Sequence, residues 1–201
     1  MLKMKKGSII SSADTLFNEY ELSEKQIKAN IDVDMIAEIF KIWIKGHSSE
    51  QIFLILEVPV KMNEETEVRP GVLEATHSNV YYLGDCDEDH ALKLLGQYGD
   101  VFFNDGVITV GFGSQESQEE IQWTKYNVMY VIGDSVPYFA TEVMDKIGFS
   151  RVDHVITAWD TISAGTLGVS KRFEREDGTS IIEIVEELKG EGLFLNEVIE
   201  D

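Results

Sequence analysis

Apolar residues recur with two periods along the chain. Met35, Ile36, Ile39, Phe40 and Trp43 follow a helical spacing, with Asp32 and Asp34 placed to cap the start and Gly46 near the end. With Ser23 read as the cap of a shorter preceding helix, residues 1–47 are expected to form a helical N-terminal segment. From residue 48 onward, strand and helix patterns mix. Gln51–Val60 reads as a buried strand closed by Pro59, and residues 61–71 as a polar loop or hairpin tip. Val72–Leu83 reads as a strand, and Asp87–Tyr98 as a helix stopped by Gly99. Val101–Phe112 reads as a hairpin turning at Asn104-Asp105-Gly106. Gln122–Ile132 alternates as a strand. A helix is predicted from Ser135 to Ile147, with Pro137 in its first turn and Gly148 at its end. Strands are predicted at His154–Ile162 and Gly168–Phe173. A turn at Asp177-Gly178, a helix over Ser180–Leu188 and a closing strand over Leu193–Val198 complete the pattern.

This alternation predicts an α+β protein: a mainly antiparallel sheet with helices packed on it, divided into the segment 1–47 and an acidic domain 48–201. Residues 81–110 and 130–159 align without gaps at an offset of 49. Tyr81/Tyr130, Gly84/Gly133, Asp85/Asp134, Ala91/Ala140 and Gly99/Gly148 are identical. The alignment raises the expectation of two like strand–helix–strand units.

Charge sharpens the picture. The formal net charge is −20, from 17 Lys and Arg against 37 Asp and Glu. Residues 1–47 hold seven of each sign, so the whole excess, ten against thirty, lies in residues 48–201. Such a field repels nucleic acid and anionic membranes and attracts basic partners. No apolar run approaches the roughly 20 residues of a membrane span. The Lys-containing start lacks the apolar stretch of an export signal, and a lone Cys86 forms no internal disulfide. The expected setting is cytoplasmic.

No motif names a reaction. The densest polar cluster, Asp85 to His90, falls at a strand-to-helix junction. Acidic residues there cap the helix and complement its dipole. Read as chemistry instead, Asp85, Asp89 and His90, joined by Asp134 from the second unit, form a candidate site for a divalent cation, since hard cations seek oxygen donors. The acidic neighbours of Cys86 oppose its activation as a nucleophile. Gly111–Ser114 and Ala164–Gly168 lack the ending of a phosphate-binding loop and read as turns. The main functional reading is a non-catalytic protein that engages a basic partner through an acidic surface, as a toxin-neutralising immunity protein does, with no cofactor. Tyr82, Phe103, Glu116, Glu119 and Glu120 are its candidate contacts. A metal-assisted hydrolase using the Asp85–His90 cluster and a module self-associating through Ile39, Phe40 and Trp43 are the alternatives.

Overall fold

A computed structural model of the chain describes residues 2–60, 67–69, 72–73, 77–163 and 168–200. Among the described residues of the N-terminal part, the one α-helix is α1, Val33–Gly46, and a single 3-10 turn spans Ala13–Thr15. Before α1 come β1 (Ser8–Ile10), β2 (Glu19–Leu22) and β3 (Gln26–Asn30). Ser23 does not cap a helix; its hydroxyl bonds the Gln26 carbonyl in the tight link between β2 and β3. The misreading has a physical cause. Ile27, Ala29 and Ile31 alternate toward the core in a stretch too short to outweigh the polar residues between them. The Asp32 carboxylate caps α1 by accepting from the Asp34 amide at 2.9 Å, and Ile36, Ile39, Phe40, Trp43 and Ile44 face inward. Phe40, Ile39 and Trp43 are thus core and offer no self-association stripe.

Strand β4 (Ile52–Val60) is the hub of the sheet, pairing with both β7 (His77–Cys86) and β8 (Thr109–Ser114). Pro59 is tolerated inside β4 because β8 ends at Thr109, opposite Glu57, and leaves that stretch a single neighbour. The polar loop expected at 61–71 lies largely outside the described residues. Within the span 61–76, β5 (Glu67–Arg69) pairs with β6 (Val72–Leu73).

Helix α2 runs from Glu88 to Asn104, past Gly99 and through the first half of the expected hairpin. Gly99 does not stop it, because Val101, Phe102 and Phe103 continue the inward stripe of Leu94, Leu95 and Tyr98. Asp105 ends the helix; its buried carboxylate accepts from the Val107, Ile108 and Phe173 amides. Gly106 serves close approach and makes no hairpin turn. Its amide bonds the Lys171 carbonyl at 3.0 Å, and a side chain there would strike the Gly7 backbone.

After α2 the chain forms two successive hairpins. β8 returns as β9 (Glu119–Trp123), and β9 returns as β10 (Val128–Ile132). The single strand expected over Gln122–Ile132 is broken at Tyr126 and Asn127, both at positive φ. The expected helix after Ser135 is short: α3 (Val136–Phe139) widens into a π-type turn over Ala140–Met144. β11 (Ser150–Arg151) follows. The predicted strand at His154–Ile162 is instead a loop and a one-turn helix, α4 (Ala158–Thr161), held by a Thr157–Asp160 capping box. β12 (Gly168–Ser170) pairs with β1. A turn at Gly178 leads to α5 (Ile181–Lys189), and β13 (Phe194–Glu200) closes the chain.

The main sheet has nine strands in the order β11-β2-β3-β10-β9-β8-β4-β7-β13, and every pair but β11–β2 is antiparallel. The fold is α+β. α1, α2, α3 and α5 share one core with the inward side chains of the sheet. The two aligned units differ in space. β7 and its return strand β8 are separated by one strand, β10 and its return strand β11 by two. No helix among the described residues is long and apolar enough to cross a membrane.

Candidate functional site

Alternation along each strand sends every second side chain away from the helices. The register then aligns those side chains into rows across the sheet. One row runs Phe194, Tyr82, Ile55, Gly111, Gln122, and the next holds Phe53, Gly113 and Glu120. Gly113 is required here. A Cβ at that position would lie 2.5 Å from the Phe53 ring, so glycine lets Phe53 lie flat across β8. Gly111-Phe112-Gly113-Ser114 is therefore strand and not the expected turn; of the second glycine-rich stretch, residues 164–167 lie outside the described residues.

Phe53, Tyr82 and Phe194 form an aromatic row with ring centroids 5.2 and 6.4 Å apart. Phe53 and Tyr82 are half-buried and Phe194 is exposed. Glu57, Glu120 and Glu197 flank the row on the same face. At one end Phe53 borders a depression of about 300 Å³ lined by Gln51, Gly84, Asp85 and Glu116. Burial, with Glu120 and Glu197 adding to it, raises the pKa of the Tyr82 hydroxyl and keeps it a neutral donor. The strands β4, β7, β8, β9 and β13 contain no Lys or Arg.

The other face of β9 behaves differently. Glu119, one residue before Glu120, points inward and is 5% exposed. It accepts from the Ser135 amide at 2.7 Å and from the Ser135 hydroxyl, and it sits 3.0 Å from His47 Nε2. The second ring nitrogen of His47 faces the Trp43 carbonyl at 2.8 Å, and the ring stacks on Trp43. Both ring nitrogens thus lie within hydrogen-bond distance of protein oxygens. Nearby, Glu50 accepts from the Ser114 and Ser117 hydroxyls. Burial pushes the Glu50 carboxyl up, but these bonds and His47 outweigh it and hold it below its ordinary value. The cluster lines a cleft of about 400 Å³ beneath the exposed Tyr138. Its chemistry is self-contained. Ser135 donates to the Glu119 carboxylate and not to His47, so this histidine is not placed to take the Ser135 proton. The network ties the ends of α1, the β8–β9 turn and the start of α3 together.

The candidate residues divide accordingly. Tyr82, Glu116 and Glu120 come together on the open face with Asp85. Phe103 does not: it is 4% exposed and packs edge-on against Phe40 at 5.2 Å, because α2 continues through it. Glu119 does not, because it is inward by alternation. Asp134 cannot join Asp85, Asp89 and His90. β10 stands four strand spacings from β7, roughly 19 Å, and Asp134 pairs with Lys25 at 2.8 Å. His90 faces Glu191 at 3.4 Å, and the Asp87 carboxylate caps α2. Among the described residues no three His, Cys, Asp or Glu side chains gather in a way that would hold a metal ion. Cys86 is buried, and its thiol is pushed up to about 11, first by burial and then by Asp87 and Asp85.

Sequence reasoning missed Phe53, Phe194, Glu57 and Glu197. Phe53 sits in a run apolar at nearly every position, where alternation carries no information about facing. No family model, curated protein or solved structure matches the chain.

Proposed function

We propose that this protein binds a basic protein partner through the open face of the sheet and carries out no chemistry itself. The toxin-neutralising immunity class, in which an acidic protein covers a basic enzyme, is the kind of role this fits. The observation that carries the reading is the aromatic row Phe53–Tyr82–Phe194 set among Glu57, Asp85, Glu116, Glu120 and Glu197. Half-buried aromatics supply contact area at little conformational cost, and they dominate binding hot spots. The surrounding carboxylates steer a cationic partner toward them and reject an anionic one. The net charge of −20, all of it in residues 48–201, adds to the same field.

The test is capture from lysate of the native host at low and high salt, with bound proteins identified by mass spectrometry and the purified partner then titrated. Expected is a basic partner whose affinity falls with ionic strength. Tyr82→Ala and a Glu57→Lys/Glu120→Lys variant should both weaken binding. A partner bound equally by these variants, or one indifferent to salt, refutes the reading.

A further inference from the structure

We infer that the free edge of β13 receives an extended basic segment of the partner as a tenth strand of the sheet; this rests on the binding reading above and specifies how the partner is held. β7 lies on one side of β13, and among the described residues nothing pairs with the other. All seven residues of β13 are exposed. An edge strand of this kind presents a row of unpaired N–H and C=O groups, and peptide recognition by strand addition uses such edges. Phe194, Leu195, Val198 and Ile199 remain 52, 49, 47 and 39% exposed. They are apolar surface on both faces, ready to be covered by the alternating side chains of an added strand.

Charge selects the occupant. Natural edges are commonly blunted by Lys or Pro. β13 has neither, and its one irregularity is a shift of register between Leu195 and Glu197. Its charged side chains are Glu197, on the open face beside the aromatic row, and Glu200. A second copy would bring the same carboxylates and another net charge of −20 to the edge. A segment with Lys or Arg opposite Glu197 and Glu200, and apolar residues opposite Phe194, Leu195, Val198 and Ile199, matches in both respects. Because Phe194 also ends the aromatic row, such a strand extends the proposed contact face without a gap.

The experiment uses the full chain and a labelled synthetic peptide with Lys spaced to meet Glu197 and Glu200 and Val or Thr elsewhere. Its control is the same peptide N-methylated at alternate backbone nitrogens. Val198→Lys and Ile199→Lys change only exposed edge positions. Expected is salt-sensitive binding, weakened about tenfold or more by N-methylation and by either substitution. Slowed amide hydrogen exchange over 194–200 should accompany it. Binding unaffected by N-methylation and by both substitutions overturns the edge inference and leaves the acidic-face reading standing. So does failure of the peptide to bind while a basic partner is still captured and lost in Glu57→Lys/Glu120→Lys. Failure of both peptide and partner capture overturns both. A wild-type dimer in sedimentation that Val198→Lys dissociates assigns the edge to a second copy and overturns the inference as well.

Discussion

Lys5 offers a quantitative check of the packing between the N-terminal strand region and the sheet. Its side chain is 1% exposed. Nζ donates to the Thr124 carbonyl at 2.8 Å and lies 5.3 Å from the centre of the Trp123 ring. Burial lowers its pKa from 10.5 to about 7; Asp105 opposes this and Lys125 adds to it. In the unfolded chain the amine keeps its ordinary value. Between about pH 7 and 10.5 the unfolded chain therefore holds a proton that the folded chain has shed. Unfolding takes up that proton, so raising the pH through this window stabilises the fold. Below about pH 7 both states are protonated and the fold carries the full cost of a buried ammonium. Integrating between the two values, the stabilisation gained from pH 7 to about pH 9 is about 2 kcal/mol. With a urea dependence of about 2 kcal/mol per molar, the unfolding midpoint should rise by roughly 1 M over that interval. Lys5→Met keeps an unbranched apolar stem and removes the titration. The assay is urea unfolding of both proteins across this pH range. Expected is a wild-type midpoint that climbs relative to the variant by that amount. Midpoints that run parallel with pH would refute the claim that a buried, neutral Lys5 is part of the fold.

Other consequences follow from the same contacts. Glu119→Ala strands His47 and the Ser135 donors and should cost about 3–5 kcal/mol in urea unfolding. A His47→Ala/Glu119→Ala double-mutant cycle should return a coupling of roughly 0.5–3 kcal/mol, and zero coupling would mean the pair is incidental. Phe103→Ala should destabilise by about 3–5 kcal/mol as a core truncation, whereas Tyr82→Ala should change stability far less and act on partner affinity; the reverse pattern would exchange their assigned places. Cys86 should resist a thiol reagent at mildly alkaline pH in the folded protein and react at once in denaturant. Rapid labelling without denaturant would contradict its burial and raised pKa.

Elements with a strong local signature were legible in the sequence. α1, β4, α5 and the start of α2 each carry a cap or an apolar period that neighbours do not alter. The open face was legible only in fragments, because Tyr82, Glu116 and Glu120 come from three separate parts of the sheet. Glu119 and Glu120 are adjacent acids that a charge count treats alike. Only the pleat of β9, with α1 and α3 behind it, makes one a buried partner of His47 and leaves the other at the surface.

By itself, then, the sequence determined the α+β class, the acidic excess and the capped helices, since composition, periodicity and caps act within a few residues. Tertiary structure decided the rest. Three aromatics far apart in sequence become one row only when β4, β7 and β13 pair in register. Asp85 and Asp134 are kept apart by the strands inserted between β7 and β10. Phe103 is drawn inside because Phe40 and the sheet offer its ring more buried apolar contact than a hairpin strand after a helix stop at Gly99 would have left it.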